Sequence, residues 1–271
     1  MLSENEQMSG GRESVVMRSF AIIGAFVDDR PLTLGEIVVR TGLPKPTVYR
    51  LAMSLVTNGF LDHGDRGFRL NPRFFALSQQ VSPYKRLSRI ARPHLEQLFA
   101  VIHEYVTLQV MTDDLTVMRI EYVRDSSCNL MLRRSGVAFW THLHATGSGK
   151  TLLAFGPESR LEAYLEKPLV ARTSRTITDP QEFRRHLAMV RERGWGAAIE
   201  ESRPGWVTIA APVLDANGIG VAAVSAVAET GVNVRAVAVE LMKTARSISG
   251  KLQRESAEAS EFQLGFRSQS A

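Results

Sequence analysis

Apolar residues recur at helical spacing between residues 46 and 58. They stand at positions i, i+3, i+4, i+7 and i+8, which mark one stripe of an amphipathic helix: Val48, Leu51, Ala52, Leu55 and Val56. Pro46 fits the first turn, where a missing N–H costs nothing, and Asn58-Gly59 can end the helix through a left-handed residue. The pattern predicts a helix over residues 46–58.

A second, shorter helix is predicted just before this one. Thr33-Leu34-Gly35-Glu36 has the pattern of a capping box, in which a hydroxyl and a carboxylate satisfy free N–H groups at a helix start. The helix should run to about Thr41. Gly42-Leu43-Pro44 then forms a tight connection, because glycine permits a positive φ and proline prevents the helix from continuing. The two helices form a helix-turn-helix.

Flanking patterns supply the rest of a small domain. An earlier helix should give the third part of its core through apolar residues at helical spacing, which are Val16, Phe20, Ile23 and Val27. After the second helix, residues 60–63 and 68–70 are typical of two strands around a turn at 64–67. A hairpin in this place predicts the winged form of the helix-turn-helix.

The rest of the chain mixes strand and helix patterns. Residues 106–110 alternate between apolar and polar, and residues 115–123 and 219–227 are rich in β-forming residues. Helical patterns follow Thr146 and Asp179-Pro180 and occupy about 232–253. The predicted fold class is therefore α+β.

The segment between the two patterns, residues 79–105, has helical spacing interrupted by prolines. Because a proline inside a helix removes a hydrogen bond and clashes with the preceding turn, Pro83 and Pro93 predict two helices here. The first of them would start near Pro83 and connect the two parts of the chain.

Charge is concentrated in the first part of the chain. Residues 30–90 hold ten lysines and arginines against three acidic residues, whereas the whole chain of 271 residues has a formal net charge of +5. Such a local excess suits a surface that binds phosphates, although it is also typical of a solvated face. A helical hairpin used for protein contact is the alternative reading, and the helix-turn-helix pattern favours DNA.

Other classes of protein are disfavoured. The longest apolar runs are about eight residues, against the ~20 that a membrane-spanning helix needs, and residues 1–11 do not have the pattern of a secretory signal. We therefore expect a cytoplasmic protein without a membrane partner. Cys128 is the only cysteine, which excludes an intramolecular disulfide and a thiolate zinc cluster within one chain.

Three short patterns invite a chemical interpretation. Gly147-Ser148-Gly149-Lys150-Thr151 resembles part of a phosphate loop but lacks the first glycine of that motif. His142 and His144 could form a metal pair, and a structural, hydrogen-bonded role is the alternative. Glu200 and Glu201 would point to opposite faces of a strand, which makes them a poor acid/base pair. We expect no metal, no cofactor and no enzymatic activity.

Several motifs together resemble the isocitrate-lyase-regulator (IclR) family of bacterial transcription factors. In the first part of the chain they are Arg18-Ser19-Phe20, Leu34-Gly35-Glu36-Ile37, Thr41 to Leu51 and Asn58-Gly59-Phe60-Leu61. In the rest they are Ala91-Arg92-Pro93-His94-Leu95, His144 to Lys150, Arg175 to Pro180 and Ile209-Ala210-Ala211-Pro212-Val213. The resemblance covers roughly residues 13–254.

The resemblance implies a domain organisation. It consists of a disordered tail over 1–11, a winged helix-turn-helix domain over 12–76, a connector helix over 77–90, an effector-binding domain over 91–255 and a flexible tail over 256–271. The effector-binding domain would be GAF-like, with an antiparallel sheet and a pocket on one face.

Residues at the exposed start of the second helix and at the hairpin tip are placed to meet phosphates or base edges. Arg18, from the family motif on the earliest helix, is added to them. The predicted DNA-binding residues are Arg18, Lys45, Pro46, Thr47, Tyr49, Arg50 and Arg66. A dimer of such domains reads half-sites about one helical turn apart, so a palindromic operator is expected.

The resemblance also implies the effector-binding residues, which are His144, Ala145, Thr146, Gly147, Glu200, Gly205, Thr208 and Ser225. Thr208, Ala198 and Val227 depart from polar residues common in the family, which makes the cavity less polar, and Phe139 and Trp140 add aromatic surface. We expect a carboxylic acid with an apolar or aromatic body. The alternative is that Phe139 and Trp140 only cover the sheet.

These features predict a transcriptional regulator that forms a homodimer or a dimer of dimers and whose binding to double-stranded DNA is modulated by a small organic acid. Two alternatives remain open. The C-terminal pocket could be an active site, or the C-terminal domain could serve oligomerisation alone, without a ligand.

Overall fold

A computed structural model describes residues 14–26, 30–78, 82–124 and 142–268. The described residues divide into two compact units, with 14–26 and 30–78 in the first and 82–124 and 142–268 in the second. The predicted tail over 1–11, together with Val27, Cys128, Phe139 and Trp140, lies outside the described residues. No helix in the described ranges has the length and apolar character needed to cross a membrane.

The described part of the first unit is a winged helix-turn-helix. Its helices are α1 (Val15–Gly24), α2 (Leu34–Thr41), α3 (Lys45–Thr57) and α4 (Arg73–Ser78), and its hairpin consists of β1 (Leu61–Gly64) and β2 (Gly67–Leu70). The core contains the predicted stripe of α3, with Val48, Leu51 and Ala52 buried. The three predicted helices and the hairpin are confirmed, whereas α4 was not predicted.

The start of α2 has the predicted capping box. The Glu36 backbone N–H donates to the Thr33 hydroxyl, and the Thr33 N–H donates to the Glu36 carboxylate at 2.8 Å. Gly42 ends α2 with a φ of 69°, a left-handed conformation that favours glycine. The sequence therefore determines this turn locally.

The core-facing side of α1 was predicted wrongly. Val16 and Phe20 are 61% and 62% exposed, and the buried residues are Ile22, Ala25 and Phe26. This helix is apolar on several sides, so its spacing does not identify one face. Packing against α3 selects the side that contains Ile22.

The second unit is an α+β domain. A five-stranded antiparallel sheet has the order β4-β3-β7-β6-β5, and its strands are β3 (Tyr105–Met111), β4 (Val117–Val123), β5 (Gly196–Ile199), β6 (Trp206–Leu214) and β7 (Gly220–Glu229). The helices are α5 (Ser82–Ile102), α6 (Gly147–Phe155), α7 (Glu158–Leu165), α8 (Pro180–Arg193) and α9 (Val234–Ser268), and a 3-10 turn spans Leu143–Ala145. The predicted fold class is confirmed.

Alternating residues of the strands divide between the two faces of the sheet. Val207, Ile209 and Val213 of β6 join the core formed with α5 and α9. Ala210 of β6 and Ala223 of β7 point to the other face and pack with α6. This second face, which we call the α6 face, carries the polar residues described below.

The predicted helix break at Pro93 is wrong. Residues 82–102 form one helix with Pro93 inside it, rather than two helices. Ile90 and Leu95 lie on the side of α5 that faces the sheet and are buried there. This burial offsets the ~3 kcal/mol that an internal proline costs. The backbone of α9 is helical to Ser268, and the flexible tail over 256–271 stays a prediction.

Candidate functional site

The N-terminal end of α3 presents polar side chains to solvent. Lys45, Pro46, Tyr49 and Arg50 are exposed, and Thr47 is half-buried. The apolar stripe on the opposite side of α3 is buried, which fixes this orientation. Among the described residues, no acidic side chain forms an ion pair with Lys45 or Arg50. By contrast, Arg30 and Arg69 of the same unit each pair with an acidic residue. The helix end is therefore free to contact a groove of DNA.

The hairpin stands beside this helix end and is fixed to the start of α2. Leu32 and Phe68 exchange two backbone hydrogen bonds at 2.7 and 2.8 Å. Gly67 has a φ of 108°, and a Cβ there would lie 2.3 Å from the Leu32 carbonyl oxygen. Only glycine fits this contact. The neighbouring Arg66 is exposed at the tip of the hairpin, where it can meet a phosphate.

Arg18 lies on α1 and is half-buried. Its Nε atom is buried and has no hydrogen-bond partner in the described part of the chain. A contact of Arg18 with DNA remains a prediction.

Two of the predicted effector residues meet at the start of α6. The Gly147 N–H donates to the Thr208 hydroxyl at 2.8 Å, and a Cβ on Gly147 would lie 2.5 Å from the Thr208 carbonyl oxygen. Thr146 caps α6 by accepting a hydrogen bond from the Gly149 N–H. Gly147 therefore permits close packing of the start of α6 against β6.

The position of Ser225 on the α6 face reveals two polar residues that the sequence reading missed. The Ser225 and Thr107 hydroxyls are 2.8 Å apart, both residues are buried, and the Gln109 side-chain amide donates to Thr107 at 3.1 Å. Thr107 and Gln109 are the polar members of the alternating pattern on β3, so their spacing was a usable signal.

The three departures from the family pattern lie in one row across the sheet. Ala198 pairs with Thr208, Thr208 with Val227, and Val227 with Tyr105. Side chains of directly opposite residues share a face. The row therefore contains the apolar Ala198 and Val227 and lies next to the polar row that contains Ser225 and Thr107.

His144 is buried and uses both ring nitrogens within the protein. Nδ1 is 2.6 Å from the Tyr164 hydroxyl and Nε2 is 3.0 Å from the Val170 carbonyl oxygen. The carbonyl must accept from Nε2–H, so the Tyr164 hydroxyl donates to Nδ1. Burial holds the pKa of His144 below its usual value, which favours the neutral ring. These contacts favour a structural role for His144.

A metal site at the histidine pair gains no support. The centroids of the His142 and His144 rings are 5.8 Å apart. Ala145, another predicted effector residue, is buried in the same 3-10 turn as His144. In the ranges that the structure describes, no three potential ligand residues are grouped to hold a metal ion.

Glu200 and Gly205 belong to one turn after β5, not to a strand. The Glu200 carboxylate accepts from the Gly205 N–H at 2.8 Å and pairs with Arg175 at 3.0 Å. Glu200 has a φ of 58°, which is strained for a residue other than glycine. The expectation that both glutamates lie on a strand is wrong, although they do have opposite environments.

Glu201 is buried and pairs with Lys150, whose side chain is fully buried. The Lys150 Nζ lies 2.5 Å from the Glu201 Oε1. Burial lowers the pKa of Lys150 and raises the pKa of Glu201, and their attraction opposes both shifts. His186 is near this pair, and burial lowers its pKa to about 4. Lys150 is therefore not available to bind a phosphate group.

Two family models match the chain and together account for most of it. Residues 15–64 match the IclR helix-turn-helix domain, and residues 80–254 match the C-terminal domain of bacterial IclR transcriptional regulators. These matches agree with the winged helix-turn-helix and the α+β domain of the structure.

Curated relatives and solved structures agree with these models. The Pca regulon regulatory protein of Pseudomonas putida is 30% identical over 79% of this chain and 74% of its own. The p-hydroxybenzoate hydroxylase transcriptional activator of Acinetobacter baylyi is 28% identical over 79% and 80%. The crystal structure of an IclR homolog complexed with 4-hydroxybenzoate from Microbacterium hydrocarbonoxydans is 32% identical over 88% and 99%, with a TM-score of 0.69. The chain belongs to the IclR family of bacterial transcriptional regulators.

Proposed function

We propose that this regulator binds a palindromic operator as a homodimer or a dimer of dimers and that a small organic acid in the C-terminal domain modulates this binding. The exposed end of α3 beside the hairpin tip carries the proposal for DNA. Lys45 meets a phosphate, Thr47 and Tyr49 contact the groove, and Arg50 is suited to a bidentate contact with guanine. Pro46 sets the first turn, Arg66 contacts the backbone or the minor groove, and Arg18 is a further DNA-binding residue.

A binding experiment tests this interface. Selection of duplexes from genomic fragments gives the operator, and titration then compares wild type with Arg50→Ala and with the control Lys167→Ala, an exposed residue of the other unit. Loss of one bidentate base contact should weaken operator binding by ~1–3 kcal/mol, about 5- to 150-fold. The control should bind like wild type. Equal binding by Arg50→Ala would contradict the assignment.

The ligand class follows from the site and from relatives. The apolar side chains of Ala198 and Val227 lie next to the polar row of Ser225 and Thr107, which suits an apolar or aromatic body with one polar group. One relative is named as the transcriptional activator of p-hydroxybenzoate hydroxylase, and another forms a complex with 4-hydroxybenzoate in its crystal structure. We therefore infer a carboxylic acid with an aromatic or apolar body.

The predicted contacts of the effector are the segment His144, Ala145, Thr146 and Gly147 and the residues Glu200, Gly205, Thr208 and Ser225. A thermal-shift screen of aromatic against small aliphatic acids tests the class. Aromatic acids should raise the melting temperature, because a ligand that binds only the folded state stabilises it. Stabilisation by glyoxylate-like or pyruvate-like acids alone would contradict it.

The effector acts by binding one arrangement of the dimer more tightly than another. A coupling free energy of ~1–3 kcal/mol changes operator affinity about 5- to 150-fold. We infer that the protein works in the cytoplasm, where the DNA is, and that it leaves the acid unchanged. Recovery of the intact acid after long incubation tests the last point, and a product that forms in proportion to protein would favour the enzyme alternative.

A further inference from the structure

Arg119 of β4 is a half-buried cation on the α6 face. It pairs across the strands with Gln109, whose side chain lies on the same face as Thr107. Its guanidinium group donates a hydrogen bond to the Tyr105 hydroxyl and lies 5.0 Å from the centroid of the Tyr122 ring. The guanidinium is therefore held above two aromatic residues of the sheet.

No acidic group neutralises this cation among the described residues. The nearest acid along β4, Glu121, points to the opposite face, where it pairs with Arg92 at 2.9 Å and accepts from Ser88 at 2.8 Å. A guanidinium has five N–H donors, and the Tyr105 hydroxyl occupies one of them. A partly buried cation with free donors favours an anion as its partner.

A second observation also indicates a ligand on this face. The Oε1 atom of Gln109 is buried and has no hydrogen-bond partner in the described residues, while its amide nitrogen is held by Thr107. A buried acceptor without a donor costs ~1–3 kcal/mol, so such groups are normally satisfied. A hydroxyl group of a ligand would satisfy it.

The start of α6 is a poorer place for the anionic group in this chain. The Gly147 N–H is used by Thr208 and the Gly149 N–H is used by Thr146. Of the first three N–H groups of α6, only that of Ser148 donates to neither the Thr208 nor the Thr146 hydroxyl. The helix end is thus largely satisfied by the protein itself, unlike the guanidinium of Arg119.

We propose that Arg119, positioned by Tyr105, binds the carboxylate of the effector. This assignment rests on the proposed function, since it requires an organic acid in the C-terminal domain. A guanidinium matches a carboxylate with two parallel N–H···O bonds. The rings of Tyr105 and Tyr122, 6.1 Å apart between centroids, favour an aromatic body on the acid.

Titration calorimetry of the full chain tests the proposal with 4-hydroxybenzoate and its uncharged analogue 4-hydroxybenzamide. Wild type should bind the acid at least about 10-fold more tightly than the amide, because a hydrogen bond to a charged group contributes more. Arg119→Gln should weaken the acid about 10- to 100-fold and leave the amide within about 2-fold. The matched control is Arg185→Gln, which changes an exposed arginine of the same unit.

Tyr105→Phe is the second variant, because it keeps the ring and removes the hydroxyl that positions Arg119. It should weaken the acid about 3- to 10-fold, as expected for one hydrogen bond, and it decides the question if Arg119→Gln fails to fold. Unchanged affinity of Arg119→Gln, or of Tyr105→Phe in its place, overturns the role of Arg119 and leaves the acid effector standing. Absence of binding to the wild-type chain, with operator binding intact, overturns the effector class and the assignment together.

Discussion

The two units place similar residue types in opposite environments. In the first unit, Lys45 and Arg50 at the start of α3 face solvent and Thr47 between them is half-buried. In the second unit, the lysine and threonine that follow the Gly-rich segment, Lys150 and Thr151, are fully buried. Thr151 donates to the Gly147 carbonyl oxygen at 2.8 Å, and Lys150 pairs with Glu201.

This difference shows that the role of a polar motif depends on whether the fold exposes it or buries it. The polar end of α3 is largely exposed, so changes there should affect binding more than stability. The polar residues around α6 hold the sheet and the helix together, so changes there should affect stability first. The following predictions test this contrast.

The largest effect is expected for Lys150→Met. Removal of one partner of a buried ion pair leaves the other charge unpaired and costs about 3–5 kcal/mol. Burial raises the pKa of Glu201 and Lys150 opposes that rise, so loss of Lys150 should raise this pKa further. A protonated Glu201 carries no unpaired charge, so the loss of stability should be smallest at acidic pH and should grow as pH rises. Denaturant unfolding measures the free energy of unfolding of the second unit.

Lys167→Met is the matched control, because Lys167 is exposed. The double variant Lys150→Met with Glu201→Met should recover part of the loss, since no charge is then left buried. A loss below about 1 kcal/mol for Lys150→Met would show that the pair is solvated and that the contrast is weaker than we infer.

A glycine pair should give effects of opposite sign. A Cβ on Gly149 would lie 2.3 Å from the Leu143 carbonyl oxygen, so Gly149→Ala forces the backbone apart and should destabilise the second unit by about 1–3 kcal/mol. Gly35 of α2 has nothing within 4 Å of its Cβ position, and Gly35→Ala should stabilise the first unit by about 0.5–1 kcal/mol. Thermal unfolding of both variants measures this, and two shifts of the same sign would break the contrast.

The smallest effect is expected for Glu36→Gln at the start of α2. Hydrogen bonds from Arg30 and from the Thr33 N–H lower the pKa of Glu36 to about 2. A lowered pKa stabilises the fold fully above the unfolded value of 4.5, and this contribution is lost as pH falls from there toward 2.

Because Glu36 is partly exposed, the stabilisation at neutral pH should be no more than about 1 kcal/mol. Glu36→Gln should lower the melting temperature of the first unit slightly at pH 7 and flatten its dependence on pH between 5 and 2. Parallel pH profiles of the variant and the wild-type protein would exclude the capping interaction as the cause.

Local chemistry made most of the first unit predictable. The capping box at Thr33, the left-handed Gly42 and the stripe of α3 each depend on residues within one or two turns, and all three are confirmed. The face of α1 was missed because the helix is apolar on several sides and only its packing against α3 selects Ile22 over Phe20.

The candidate effector site was less predictable. The sequence indicated Thr208, Gly147 and Ser225, but the pairing that brings Thr107 beside Ser225 joins residues 118 positions apart. Arg119 belongs to no sequence motif. It becomes a candidate ligand contact only because it pairs with Gln109 across the strands and contacts Tyr105. Pro93 was read as a helix break because the burial that offsets its cost is provided by distant strands.

The family, the winged helix-turn-helix and the α+β class were determined by the sequence itself, because they follow from local periodicity, turn residues and motifs in order. The tertiary structure alone decided which polar groups are free. Strand register and helix packing bury Lys150 against Glu201 and satisfy the Gly147 N–H, while they leave Arg119 without an acidic partner among the described residues. Burial and pairing of a polar group depend on residues far away in the chain, and no local pattern contains them.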